Sequence, residues 1–477
     1  MLVGIKQSKR NFSLRNFLSD LSTSQQALWL GLFSFYIRIV LCFPGYGVEE
    51  DSWGTALAVR NMRATGVYEA SRLPGHPVQE LVLVFVGQPS AWLYNALSAM
   101  MGAWSVVAFF LALKRFHQAH AGALALVFSL VPVSWLAGTY TIDYAWGMAF
   151  VMSSVWVLSY KRYAAAGILL GLAAGCRITS IAMLLPFCWL IPARAWWSPS
   201  PERIRFAVGT LGMACFCFLP AYVTYGPAFF DYSDQFPYPN LPKWLYKSTI
   251  GVWGLPGFIA LLLCFLPSFQ KPKKEVNKSI LLWCWLVIIL YAIVYARLPQ
   301  KSYYVLGAVP AVLVMLPHVL LLRRLKAVLI CLGISGLFFG VNLVDPNRGS
   351  TSQPLGFQVQ AAGQRVALEP FSGLVWADHL KRNQKEAFVA RCMQVAPQLG
   401  KAAVVSGWWY NQLLMSECHP KQHAVTWVFY ASADSLYRMK KSGFRLFYLP
   451  EQDRYNDLMF GADGTATMAT PFPVSPQ

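Results

Sequence analysis

Residues 163–193, YAAAGILLGLAAGCRITSIAMLLPFCWLIPA, decide how the rest of the chain is laid out. Read as one helix, the run would be about 46 Å long at about 1.5 Å per residue, against a hydrocarbon core of about 30 Å. Arg177 would then lie inside it, where an arginine costs about 2.5–3.5 kcal/mol on insertion scales. Two short helices with Arg177 at an outward-facing tip remove both difficulties. The split also keeps the later basic loops on one side and sets an odd number of spans.

Working outward from that break, apolar runs of about 17–25 residues mark further spanning helices. They fall near 27–44, 89–112, 120–137, 141–160, 163–176, 178–193, 206–224, 249–268, 279–296, 303–321 and 326–343, about eleven in all. Val78–Val86 is too short to span and reads as a re-entrant or interfacial piece. Composition agrees: the chain is 56% hydrophobic and 13% charged, whereas soluble domains carry about 25% charge. The net charge of +19 would suit nucleic acid, but the basic residues form short clusters between apolar runs. These are Lys114/Arg115, Lys161/Arg162, Arg194/Arg203/Arg205, Lys271/Lys273/Lys274/Lys278 and Arg323/Arg324/Lys326. With the N-terminus inside, all of them face the cytoplasm, as positive loops do. No nucleic-acid partner is expected. Lys6, Lys9, Arg10 and Arg15 precede the first apolar run as in a signal peptide, but no small-residue cleavage site follows, so an uncleaved first span is expected.

The expected fold is an α-helical polytopic protein of the inner (plasma) membrane. It has a cytoplasmic tail (1–26), a membrane domain (27–345) with an outer loop (45–88), a Gly/Ser/Pro-rich linker (346–369) and a small extracytoplasmic α/β domain (370–477). In that last domain, helical stretches near 371–397, 431–441 and 451–459 alternate with strand-like runs at 402–406, 423–430 and 443–449. It contains no GxGxxG, no nucleophile elbow and no zinc-type Cys/His spacing. Cys392 and Cys418 either pair or remain free thiols, and most other cysteines lie in apolar spans.

This topology collects the unusual polar residues on the outer side. The segment Gly45–Glu80, GYGVEEDSWGTALAVRNMRATGVYEASRLPGHPVQE, brings Glu49, Glu50, Asp51, Arg72 and His76. A helical pattern follows the acids, with Trp53, Leu57, Met62 and Ala64 on one side. Asp143 starts the fourth helix, Arg177 lies at the tip, Asp231 and Asp234 follow the seventh helix, and Arg297 and Lys301 lie between the ninth and tenth. A carboxylate can act as general base on an acceptor hydroxyl. Cationic side chains can hold and neutralise a phosphate leaving group. Taken singly, each residue has a plainer role: solvated loop acids, a snorkelling Arg177, lipid headgroup contacts for Arg297 and Lys301, a structural His76. Trp408 and Trp409 read as domain packing or an interfacial anchor. The shared face is what those separate roles leave unexplained. Several acids near a phosphate could also hold a divalent cation, though no ligand spacing requires one.

The chain resembles the integral-membrane, C-type (GT-C) glycosyltransferases, the superfamily of protein O-mannosyltransferases and the aminoarabinose transferase. The resemblance covers roughly residues 25–345 and is carried by EEDSW with GVYEASRLPGHPVQE, by AAAGILLGLAAGCRITSIAMLLP, and by QKSYYVLGAVPAVLVML. It implies inverting transfer of a sugar from a polyprenyl-phosphate donor to an envelope glycan, lipid or protein acceptor, at the outer face and among membrane lipids. A loop carboxylate would serve as base: Asp51, with Glu50 and Glu49 as the alternatives. Arg177, Arg297 and Lys301 match positions at which that superfamily meets the lipid phosphate. His76, Arg72 and Asp143 complete the expected substrate-binding set. Asp51 is favoured because it directly precedes the helical pattern and can cap it. The C-terminal domain is expected to bind the acceptor or to brace the first loop. A transporter or lipid flippase is the alternative, although such proteins place their charges near the midplane. A non-catalytic scaffold would leave Asp51, Arg177 and Arg297 far apart.

Overall fold

The computed structural model describes residues 21–192, 199–230, 239, 241–267, 278–344, 357–361, 364–417, 424–429, 431–449 and 469–474. Helix α1 (Thr23–Ile39) opens with a capping box: Ser22 accepts from the Gln25 amide while the Gln25 side chain accepts from Ser22 N. The outer segment then carries α2 (Glu50–Thr65) and α3 (Pro77–Val86), followed by α4 (Ala91–Arg115). The run expected as one span at 120–137 is two helices, α5 (Ala121–Leu130) and α6 (Pro132–Ala137). Pro132 cannot donate to the ladder and opens the second of them. Helices α7 (Asp143–Leu158) and α8 (Tyr163–Cys176) come next.

The helix break expected at Arg177 is present. Arg177 is extended (φ −151°, ψ 107°), and a 3-10 turn (Ile178–Met183) leads into α9 (Leu184–Leu190). Then follow α10 (Pro201–Tyr225), α11 (Leu241–Ser248), α12 (Ile250–Leu263), α13 (Lys278–Arg297), a 3-10 turn at Ser302–Val305, α14 (Ala308–Val319) and α15 (Leu322–Ile334). Helices α11 and α12 meet at 70°. Within α12, Gly254 has φ +66°, and a Cβ there would run into the backbone of Ser335. Only glycine fits.

Three helices are long and apolar enough to cross a membrane, Ala91–Arg115, Pro201–Phe230 and Ser279–Arg297, and a fourth is added if the bent pair α11–α12 counts as one span. Shorter apolar helices pack among them, with α8 against both α7 and α10, and α4 against α1 and α7. These lengths and compositions associate the chain with a membrane through helices.

One buried charge was not singled out from the sequence. Arg38 of α1 is fully buried and donates to the carbonyls of Ser34, Ser129 and Ser134 and to the Ser34 and Ser129 hydroxyls. Serines of α1 and of the α5–α6 break thus take up both terminal nitrogens of an arginine that hydrocarbon would reject.

The expected last helix, 326–343, ends at Ile334. Residues Gly340–Val344 form strand β1 instead. It pairs antiparallel with β3 (Gln364–Glu369), which pairs in turn with β2 (Phe357–Ala361), so a small sheet occupies part of the stretch read as linker. Helix α16 (Leu374–Val395) leads into the α/β unit: β4 (Ala402–Val405), α17 (Tyr410–Ser416), β5 (Val425–Val428), α18 (Ala433–Lys441), β6 (Arg445–Tyr448) and β7 (Thr470–Pro471). The sheet order is β5-β4-β6-β7, all parallel. The central strand β4 is buried at every position, as a strand covered on both faces must be. Its layer packs with Phe388, Trp427, Phe447 and Phe472. Trp409 joins that core, 4.5 Å from the Phe388 ring, which is packing, one of the two roles expected of it. Cys392 is a buried free thiol; Cys418 and the helix expected at 451–459 lie outside the described residues.

Candidate functional site

The acidic triplet straddles the start of α2. Glu49 holds the N-cap position with extended backbone (φ −76°, ψ 138°), and Glu50 and Asp51 lie in the first helical turn. Asp51 therefore does not cap the helix. A carboxylate in the first turn is still favoured by the amide dipoles, which fixes the direction in which it can point. Of the apolar side read from the sequence, Trp53 and Met62 are buried, Leu57 is half-buried and Ala64 is exposed. Trp53 anchors the turn by donating from Nε1 to Gly47 O at 3.0 Å.

Two cations meet on one oxygen of Asp51. Oδ2 lies 2.6 Å from Lys301 Nζ and 3.0 Å from Arg72 Nη1, and Lys301 reaches Glu49 Oε2 at 2.8 Å. Burial pushes the Asp51 carboxyl up, but Arg72 and Lys301 together outweigh it and hold it well below the usual carboxylate range. Glu49 behaves alike: burial raises it, and Lys301 overcomes both that and the neighbouring Asp51 charge. The Lys301 ammonium, disfavoured by burial, is held charged by the two acids.

A second group adjoins the first. Asp143, the first residue of α7, binds Arg177 Nη1 at 2.8 Å, and His76 Nδ1 lies 3.7 Å from the same carboxylate oxygen. His76 Nδ1 is also 2.8 Å from Cys176 O. The Arg177 guanidinium lies over Tyr144 at 4.1 Å and over Tyr304 at 4.7 Å. Contacts of this kind are worth about 2 kcal/mol when desolvated. Tyr303 stacks on Tyr144 at 5.0 Å and meets Tyr140 edge-on at 6.0 Å. The Tyr140 and Tyr144 hydroxyls are buried with no hydrogen bond of normal geometry among the described residues.

Loop 66–76 brings Arg72 and His76 into place, and Glu80 organises it. This fully buried carboxylate accepts from the Tyr68 hydroxyl (2.5 Å), Ser71 N (2.9 Å), Ser71 Oγ (2.6 Å) and His76 N (3.0 Å). Gly75 takes φ +91°, with the Tyr68 hydroxyl where a side chain would stand.

The C-terminal domain holds the other flank. Arg382 of α16, 2% exposed, donates to five carbonyls: Leu41 (2.6 Å), Cys42 (3.3 Å), Pro44 (2.9 Å), Gly45 (3.0 Å) and Thr139 (3.2 Å). Lys385 donates to Val48 O at 2.7 Å, and Arg60 of α2 donates to Leu414 O at 2.9 Å. Of the two roles expected for this domain, bracing the first loop is the one these contacts show. One turn before Arg382 stands Asp378, whose carboxyl burial pushes up to about 6, with Tyr140 and Arg382 pulling the other way.

The structure therefore joins Glu49, Asp51, Arg72 and Lys301, with Asp143, Arg177 and His76 alongside. Two candidates fall elsewhere. Glu50 turns to the C-terminal domain, where Asn411 Nδ2 donates to it at 3.3 Å; successive helical residues point about 100° apart, so Glu50 and Asp51 cannot share a direction. Arg297 is exposed at the end of α13, outside the ion pairs of the cluster. Asp231 and Asp234 lie outside the described residues. No group of three or more His, Cys, Asp or Glu among the described residues is arranged to hold a metal ion. Glu49 and Asp51 converge on an ammonium. Sequence reasoning missed Glu80, Asp378, Arg382 and the tyrosines; only the tyrosines left a sign, in TYTIDY and KSYY beside two candidates. No protein-family model matches the chain, and no curated protein matches it.

Proposed function

We propose that the chain is a membrane glycosyltransferase. It moves a sugar, with inversion, from a polyprenyl-phosphate donor to an envelope acceptor at the outer face of an inner membrane that it crosses about eleven times. The observation that carries this reading is the pair of cations, Lys301 and Arg72, sharing one oxygen of Asp51. Glycosyl transfer from a phosphate needs a base for the acceptor proton and positive charge for the departing phosphate. Both stand within 3.0 Å of each other here. In the reaction the acceptor oxygen bonds to the anomeric carbon and its proton passes to Asp51. The anomeric C–O bond breaks, and the electron pair leaves with the polyprenyl phosphate, whose added charge Lys301 and Arg72 take up. Arg177, fixed by Asp143 and two tyrosine rings, adds positive charge beside them. The buried Tyr144 hydroxyl, beside Arg177, is available to a ligand oxygen. Asp51 and Arg177 lie in adjoining ion-pair groups, which counts against a scaffold, whereas Arg297, the third residue of that comparison, stays outside them.

The reading is tested by incubating purified protein with radiolabelled polyprenyl-phosphate sugars and an envelope acceptor fraction. Label passing from lipid to a new product is expected. Label that stays on every polyprenyl carrier offered overturns the reading.

A further inference from the structure

In the resting cluster the base and the phosphate seat neutralise each other. Three carboxylates (Glu49, Asp51, Asp143) face three cations (Lys301, Arg72, Arg177). Asp51 Oδ2 is occupied twice, and two cations on one oxygen lower the basicity of the whole carboxylate. A carboxylate so engaged is a poor base, and cations so engaged are poor anion ligands. A second oxygen set must compete for them before either can work.

We propose that the anionic donor itself unmasks the base: its phosphate draws Lys301 and Arg72 off Asp51, so that the donor binds first and only then can the acceptor be deprotonated. This rests on the reading above that the ligand is a phosphate-linked sugar. The charge accounting favours the exchange. As Asp51 takes the proton it loses one negative charge, and as the anomeric bond breaks the phosphate gains one. The same two cations serve both states by moving from one oxygen to the other. Their stems permit it: lysine carries its charge on a flexible four-carbon chain, and the Arg72 side chain is 36% exposed. Glu49, 2.8 Å from Lys301, keeps the ammonium near the site during the exchange. Arg177 has less freedom, being stacked on two rings and held by Asp143; it supplies the fixed part of the positive field. The device also guards the site, since without an anion no free base faces water or an adventitious hydroxyl.

The test measures binding of the bare carrier, polyprenyl phosphate without sugar, to the full-length protein in detergent. Removing a carboxylate beside an anion site relieves some like-charge repulsion in any case, so Glu50→Gln, which meets Asn411 and not the cations, sets the baseline that the other carboxylate variants must exceed. Here Asp51→Asn frees Arg72 and part of Lys301, which Glu49 still holds, and should tighten binding about 10- to 100-fold. Glu49→Gln frees part of one and should tighten it less. Lys301→Met should weaken binding at least tenfold, and Asp51→Asn/Lys301→Met should lose most of the gain. Glu49→Gln carries the test if Asp51→Asn fails to fold. Binding by wild type that neither Asp51→Asn nor Glu49→Gln strengthens beyond the Glu50→Gln baseline overturns the unmasking while leaving the transferase reading in place. No binding of the phosphate carrier by any form overturns both.

Discussion

Arg382→Ala probes how far the C-terminal domain fixes the site. Five carbonyls lose the Arg382 donor at once, four of them in the Leu41–Gly45 segment that leads to Glu49, although Cys42 and Gly45 keep the Asn95 amide. A hydrogen bond to a charged group contributes about 1.5–3 kcal/mol, and such values do not add fully when one side chain makes them all. Leaving a buried acceptor without its donor costs about 1–3 kcal/mol. Part of that loss is recovered by water reaching the carbonyls, so about 3 kcal/mol should appear as easier opening of residues 41–50. At 1.4 kcal/mol per factor of ten, this is roughly a hundredfold. The assay is amide hydrogen exchange by mass spectrometry, comparing peptides covering 41–50 with peptides from the α4–α7 core. Exchange about a hundredfold faster in the first set only is expected. Unchanged exchange at 41–50, in a variant whose α16 stays protected, would refute the idea that this arginine holds the loop.

Two further outcomes follow from the same geometry. The Asp378 carboxyl, raised to about 6 by burial from an ordinary 3.8, contributes stability that is fully present below pH 3.8 and is lost as pH rises through 6. Thermal melting of wild type should therefore fall across that interval relative to Asp378→Asn, and parallel curves would contradict it. Glu80→Gln keeps shape but halves the carboxylate's accepting capacity for four donors. It should loosen loop 68–76 and cut transfer about 10- to 100-fold, the usual scale for small misplacement of binding groups; a rate within twofold of wild type would remove Glu80 from the account.

Much of the layout was legible because hydrocarbon punishes local error. Arg177 could not sit in the middle of a 31-residue apolar run, and the chain does break there. The strand-like runs of the last domain became strands at 402–405, 425–428 and 445–448, since short runs of β-branched, aromatic and small apolar residues between polar stretches are equally local signals. Position within the acidic triplet was less legible. The pattern showed that a helix follows, but which acid starts it depends on how Trp53 and Gly47 close the preceding turn. Glu50 and Asp51 differ by one residue and serve different partners. Arg382 and Glu80 could not be found from sequence. Arg382 lies over 330 residues away from the carbonyls of Leu41 and Gly45 that it binds, and Glu80 looks like any helix-start acid until its four donors are seen. Arg297, four residues before Lys301, ends exposed and outside the cluster's ion pairs, a difference that nearness in sequence could not show.

The most direct measurement compares the rate of sugar transfer from a polyprenyl-phosphate donor by wild type, Asp51→Asn and Glu50→Gln, each checked for an unchanged melting temperature. If Asp51 takes the acceptor proton, Asp51→Asn should lose about 10²–10⁴ in rate, the range that general-base catalysis supplies. Glu50→Gln, which meets Asn411 rather than the cations, should keep most of the wild-type rate. Transfer that survives in folded Asp51→Asn and vanishes in Glu50→Gln would contradict the assignment and the cluster built around it.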